Sequence, residues 1–172
     1  MPSLWALVVS IKDYGYPRQG WAAVDGAHID AANVKKYLQE SMKVPPDHIR
    51  HLIDGQASRV KIISTFTDHL IHNPHIKKGD ALLFYYSGHG SYVKTPIGWT
   101  VVEGKTGDEA LDDMVEVILP WDEGGLDKVT GSPIHAIPDR TLAILIDQAA
   151  ELHGNNITIV LDCCSSGHGT RG

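Results

Sequence analysis

Two stretches of this chain end an apolar run in residues that can do chemistry. Asp80-Ala81-Leu82-Leu83-Phe84-Tyr85-Tyr86 leads into Ser87-Gly88-His89-Gly90, and Asn156-Ile157-Thr158-Ile159-Val160-Leu161 leads into Asp162-Cys163-Cys164-Ser165-Ser166-Gly167. Ile157 to Leu161 is apolar or β-branched without alternation, which suits a strand covered on both faces of a parallel sheet. Each run then breaks into glycine and small polar residues, so the chain turns at the carboxyl end of the strand. That edge is where open α/β sheets build their active sites. If the two strands are parallel neighbours, a histidine and a thiol meet across a narrow gap. A thiol beside an imidazole is a nucleophile with its base. An ordinary cysteine has a pKa of about 8.5, and a neighbouring imidazolium lowers it enough to supply thiolate at neutral pH. The glycines flanking His89 let backbone come close to a substrate.

The elements that must position these residues alternate. Leu4 to Ile11 reads as a buried strand, and Lys12 to Gly20 as a loop rich in Gly, Pro and Tyr. Asp25 can cap a helix whose Ala27, Ala31, Val34 and Leu38 share one face. Pro45-Pro46 ends that unit, His48 to Ile53 is a second strand, and Asp54-Gly55 makes a turn. Val60, Ile63, Thr67 and Leu70 mark a second amphipathic helix closed by Asn73-Pro74. Ala81 to Tyr86 is the third strand. Right-handed crossovers turn this order into a parallel sheet with helices on its faces. From Ser91 to Pro138 the rhythm is lost, apart from Val115 to Pro120, which fits a short strand or hairpin arm. A long irregular segment beside a catalytic loop is usually functional. Pro138-Asp139 opens a third helix with Leu142, Leu145, Ile146 and Ala149 on one face. The whole of residues 1–172 reads as one domain, without repeats or linkers.

Tyr86-Ser87-Gly88-His89-Gly90 and Asp162-Cys163-Cys164-Ser165-Ser166-Gly167 resemble the two catalytic motifs of metacaspases, within the caspase-like cysteine peptidases. The resemblance covers nearly the whole chain as the large-subunit part of that domain, and the motifs come in the right order. It implies a three-layer caspase-like α/β fold, with a mostly parallel sheet flanked by helices. It also implies a cysteine endopeptidase in which His89 is the catalytic histidine and Cys164 the nucleophile. By the same resemblance, the backbone N–H groups of Gly90 and Cys164 form the oxyanion hole, and losing one such donor costs roughly 3 kcal/mol of barrier. The glutamine and alanine that precede the cysteine in caspases are absent here, and Ser165 stands where metacaspases commonly have histidine. Cys163 fits an inward-packing residue. A vicinal disulfide, or a zinc site made of Cys163, Cys164 and His168 against the usual spacing of such ligands, is the rival.

Metacaspases cleave after Arg or Lys, and the resemblance assigns the acids that hold the basic side chain to Asp162 and Asp30. The physical case is independent, since a guanidinium pairs bidentately with a carboxylate and an acidic slot repels an acidic substrate. Asp108, Glu109, Asp112, Asp113 and Glu116, followed by Asp122 and Glu123, form an acidic belt that could bind calcium as an activator. No cofactor is required for the chemistry itself. The family's segment often has a second aspartate where Val115 stands.

A formal charge of -6 argues against a nucleic-acid partner. No run is long enough to span a membrane, and Met1 to Trp5 lacks the marks of a signal peptide. Two adjacent cysteines cannot make a disulfide framework, so a reducing, cytoplasmic setting is expected. The ten histidines are scattered rather than grouped as metal ligands. Protein or peptide substrates follow from the peptidase reading, with a non-catalytic caspase-like interaction module as the alternative. The chain stops soon after Cys164, so the small subunit, or carboxyl-terminal part of the same domain, is expected to be missing. An unpaired inner strand edge is the expected result.

Overall fold

The computed structural model describes residues 2–16, 22–94 and 114–163. Its centre is β1 (Leu4–Ser10), in which every residue from Trp5 to Ser10 is buried. β1 lies between β2 (Ile49–Ile53) and β3 (Ala81–Ser87), and β3 pairs in turn with β7 (Ile157–Asp162). All three pairings are parallel, giving the order β2-β1-β3-β7. The expected parallel sheet and the neighbourhood of the two motif-bearing strands are both present.

Alternation along β1 explains why both faces are covered. Trp5, Leu7, Val9 and Ile11 join one cluster with Leu82, Phe84 and Tyr86 of β3. That cluster is completed by α2 (Arg59–Phe66), its extension over Thr67–Ile71, and α3 (Asp139–His153). Ala6 and Val8 pack the other way, with Tyr85, against Ala31 and Leu38 of α1 (Ala27–Glu40). Neither face of the central strands sees water, which is why they carry apolar runs instead of a polar–apolar alternation. The result is helix, sheet, helix.

Three expectations need correction. The first is the buried face of α2, which is made by Ile62, Thr65 and Phe66, while Val60 is 68% exposed and Ile63 half-buried. Phe66 meets Phe84 with ring centroids 5.6 Å apart, and the larger apolar pair Ile62 and Phe66 takes the core in place of the Val60 stripe. The helix then widens over Thr67–Ile71 into a π-helical turn, which brings His69, Leu70 and Ile71 inward. The second is Ser91 to Pro138, where the short strand expected within Val115 to Pro120 is present but has two unexpected strand partners. β4 (Gly90–Lys94) starts directly after His89 and pairs antiparallel with β5 (Met114–Ile118), which pairs with β6 (Ile137–Pro138). The third is β7, which is not covered on both faces. Ile157 and Ile159 pack on the core, but Val160 and Leu161 are 38% and 45% exposed. β7 ends the sheet among the described residues.

Candidate active site

β3 and β7 leave the sheet level with each other. Ser87 pairs with Asp162, and the Gly88 N–H reaches the Asp162 carbonyl at 3.4 Å. His89 and Cys163 therefore emerge at the same carboxyl edge. A side chain at Gly88 would have no room, since its Cβ would stand 2.7 Å from the Tyr86 hydroxyl and 2.9 Å from that of Tyr14. Cys164, with Ser165 to Gly172, lies outside the described residues, as does His168 of the rival zinc reading.

His89 is half-buried, and its Nε2 lies 2.8 Å from the carbonyl oxygen of Ala22. A carbonyl only accepts, so in the neutral ring it is Nε2 that carries the hydrogen. The Tyr14 ring lies against the imidazole, with centroids 5.1 Å apart at 34°. Asp54, at the end of β2, holds the loop that carries Tyr14. Its Oδ1 accepts the N–H groups of Lys12 (2.8 Å) and Asp13 (3.3 Å), and stands 3.0 Å from His28 Nε2. Asp54 adopts φ +42°, which aspartate tolerates better than most residues. Gly15 adds a bond to the Trp121 carbonyl at 2.9 Å.

Asp162 sits on the α1 face, with Tyr85 and Ser87. Tyr85 donates to its Oδ2 at 2.8 Å, and the Ser87 hydroxyl lies 3.4 Å from the same oxygen. Burial pushes the Tyr85 phenol up, and the Asp162 carboxylate and then Asp30 push it further. Asp30 is exposed in the first turn of α1. Two carboxylates thus act on one phenol, on the side of the sheet that α1 covers.

Cys163 turns the other way. It is half-buried against the main core and lines a small cavity with Gly90, Ser91, Glu116 and Leu142. The inward packing expected of it is observed. Gly90 opens β4 opposite Ile118, and the ladder bond beside that pair runs from the Leu119 N–H to the His89 carbonyl (3.1 Å). Positions alternate along an antiparallel ladder, so Gly90 falls at a non-bonded pair and its N–H is directed away from β5.

Of the acidic belt, Asp108, Glu109, Asp112 and Asp113 lie outside the described residues. Glu116 accepts from the Tyr92 hydroxyl (2.8 Å), Asp122 accepts the Arg59 N–H that opens α2 (2.7 Å), and Glu123 is buried. These three are spread over separate tasks and do not fit one cation. No group of three His, Cys, Asp or Glu among the described residues could hold a metal ion. No helix among them is long and apolar enough to cross a membrane. Sequence reasoning missed the Ala22 carbonyl and the tyrosines at positions 14 and 85. A backbone carbonyl leaves no mark in a sequence, and the only signal for Tyr14 was its glycine-rich loop.

A family model described as the metacaspase, peptidase C14, domain matches residues 5–170. Metacaspase-1 of Candida glabrata is 30% identical over 167 residues, which span 94% of this chain and 36% of that protein. Metacaspase-7 of Arabidopsis thaliana is 36% identical over 91 residues, which span 53% of this chain and 17% of that protein. The chain thus spans about a third or less of the length of these relatives. A crystal structure of a protein from Geobacter sulfurreducens shares the fold, with a TM-score of 0.63 at 20% identity. That match covers 97% of this chain and 52% of the other.

Proposed function

The chain belongs to the metacaspase, peptidase C14, family, and from that premise we propose that it supplies the catalytic dyad of a cysteine endopeptidase that cleaves after Arg or Lys. Cys164 Sγ attacks the scissile carbonyl while the His89 imidazole takes the thiol proton. The C–N bond breaks as that proton passes to the leaving amine, and water then hydrolyses the thioester with His89 again as base. The N–H groups of Gly90 and Cys164 hold the oxyanion. Asp162 and Asp30 receive the basic side chain.

The observation that carries this reading is the parallel register of Ser87 with Asp162, since it starts both motif loops from one edge. Labelling decides it. An arginyl chloromethylketone should alkylate Cys164 in a protein with the complete domain, and Cys164→Ala should abolish both labelling and turnover. A preference for an aspartyl reagent, or turnover by Cys164→Ala, would refute it.

Two further parts of the proposal concern what lies around the site. A small subunit, or the carboxyl-terminal part of the same domain, lies along β7, where Val160 and Leu161 are exposed; adding it in cis or in trans should raise Cys164 labelling. Calcium activation rests on Asp108 to Asp113, and Asp112→Asn/Asp113→Asn should remove a calorimetric response in the range of weak sites, about 10⁻⁴ to 10⁻³ M.

A further inference from the structure

Two tyrosine hydroxyls, from half-buried Tyr14 and buried Tyr86, grip the backbone on either side of His89. The His89 N–H donates to the Tyr14 hydroxyl oxygen at 2.7 Å. The Tyr86 hydroxyl lies 2.8 Å from the His89 carbonyl and 2.8 Å from that of Leu119. The two hydroxyl oxygens are 3.3 Å apart. One assignment of hydrogens satisfies the set: His89 N–H to Tyr14, Tyr14 O–H to Tyr86, and Tyr86 O–H to a carbonyl. Each hydroxyl must keep its hydrogen for this. Burial secures it, pushing Tyr14 up to about 12 and Tyr86 well above its ordinary value.

A peptide unit is planar and trans, so fixing one of its ends fixes the other. Holding the His89 N–H sets the plane that enters the Cα bearing the imidazole. Holding the His89 carbonyl sets the plane that contains the Gly90 N–H. We infer that Tyr14 and Tyr86 are positioning residues for the peptidase reaction, Tyr14 through the imidazole of His89 and Tyr86 through the oxyanion donor of Gly90. Neither touches the substrate. The inference rests on the cysteine-peptidase reading above. Gly88 fits the same account, because any side chain there would displace both hydroxyls.

The test uses the complete domain with an arginyl peptide substrate, and Cys164→Ala as the blank. Tyr14→Phe and Tyr86→Phe keep the rings and delete only the hydroxyls. Each should lower kcat on the order of 10- to 100-fold, the scale of a small misplacement of reacting groups, with KM within about twofold. Alkylation of Cys164 by iodoacetamide, which forms no oxyanion, separates the two roles. Its rate-against-pH profile should shift in Tyr14→Phe and stay at the parent position in Tyr86→Phe. The double variant should lose little more than the worse single, as expected of one network. Tyr37→Phe, 59% exposed on α1, is the control and should match the parent. Thermal melts check that each variant folds; if Tyr86→Phe does not, Tyr14→Phe alone still decides the Tyr14 role. Parent-like kcat in both folded single variants, or losses confined to KM, would overturn the inference while leaving the peptidase intact. A parent no more active than Cys164→Ala would overturn the peptidase reading and this one with it.

Discussion

At the scale of single residues, the two adjacent cysteines part company. Cys163 faces the core beside Tyr14, so its sulfur is packing material. Cys163→Ala should lower stability by about 1 to 2 kcal/mol, the lower end for a partly buried side chain, and keep most of the turnover. Urea melts with peptidase assays check both halves. Asp162 is a different matter, since its carboxylate is exposed yet held by Tyr85 and Ser87. Asp162→Asn should cut kcat/KM for arginyl substrates by at least tenfold and leave the melting temperature nearly unchanged. Library profiling checks it; an unchanged preference for Arg would remove Asp162 from the specificity slot. The sequence made His89 and Asp162 legible because each closes an apolar strand. It said nothing of Ala22, whose contribution is a carbonyl that any residue would offer.

At the scale of elements, legibility followed burial. β1 and β3 lie inside the sheet, covered on both faces, and their unbroken apolar runs were readable for that reason. β4 was missed because Gly90-Ser91-Tyr92-Val93-Lys94 is short, starts on glycine and has one apolar aliphatic residue. On α2, two apolar stripes competed in eight residues, and Ile62 with Phe66 prevailed over Val60 because an aromatic ring removes more surface from water. The choice can be measured. Ile62→Ala should cost about 2 to 5 kcal/mol, and Val60→Ala should stay within about 0.5 kcal/mol, both by denaturant unfolding. Equal losses would return the buried face to the Val60 side.

At the scale of the whole molecule, acid should weaken the fold before it reaches the carboxylates. His69 is buried on the π-helical turn, its Nε2 3.0 Å from the His48 carbonyl, and burial holds its pKa below the ordinary 6.5. His51, half-buried with Nε2 3.0 Å from the Ser10 hydroxyl, is lowered for the same reason. Protonation then favours the unfolded chain, so stability should be full above about pH 6.5 and fall as pH drops through the lower folded values. His69→Gln should flatten the fall in urea midpoint between pH 7 and pH 5; an unchanged slope would exclude His69 as a cause. The order β2-β1-β3-β7 has one more consequence. β1 is gripped on two sides, whereas β7, among the described residues, is gripped only by β3. Strands held on one side open first in native fluctuations. Backbone amides of residues 157–162 should therefore exchange with deuterium at least about tenfold faster than those of β1, an opening cheaper by ~1.4 kcal/mol. The strand that leads to Cys164 would then loosen while the rest of the sheet stays closed.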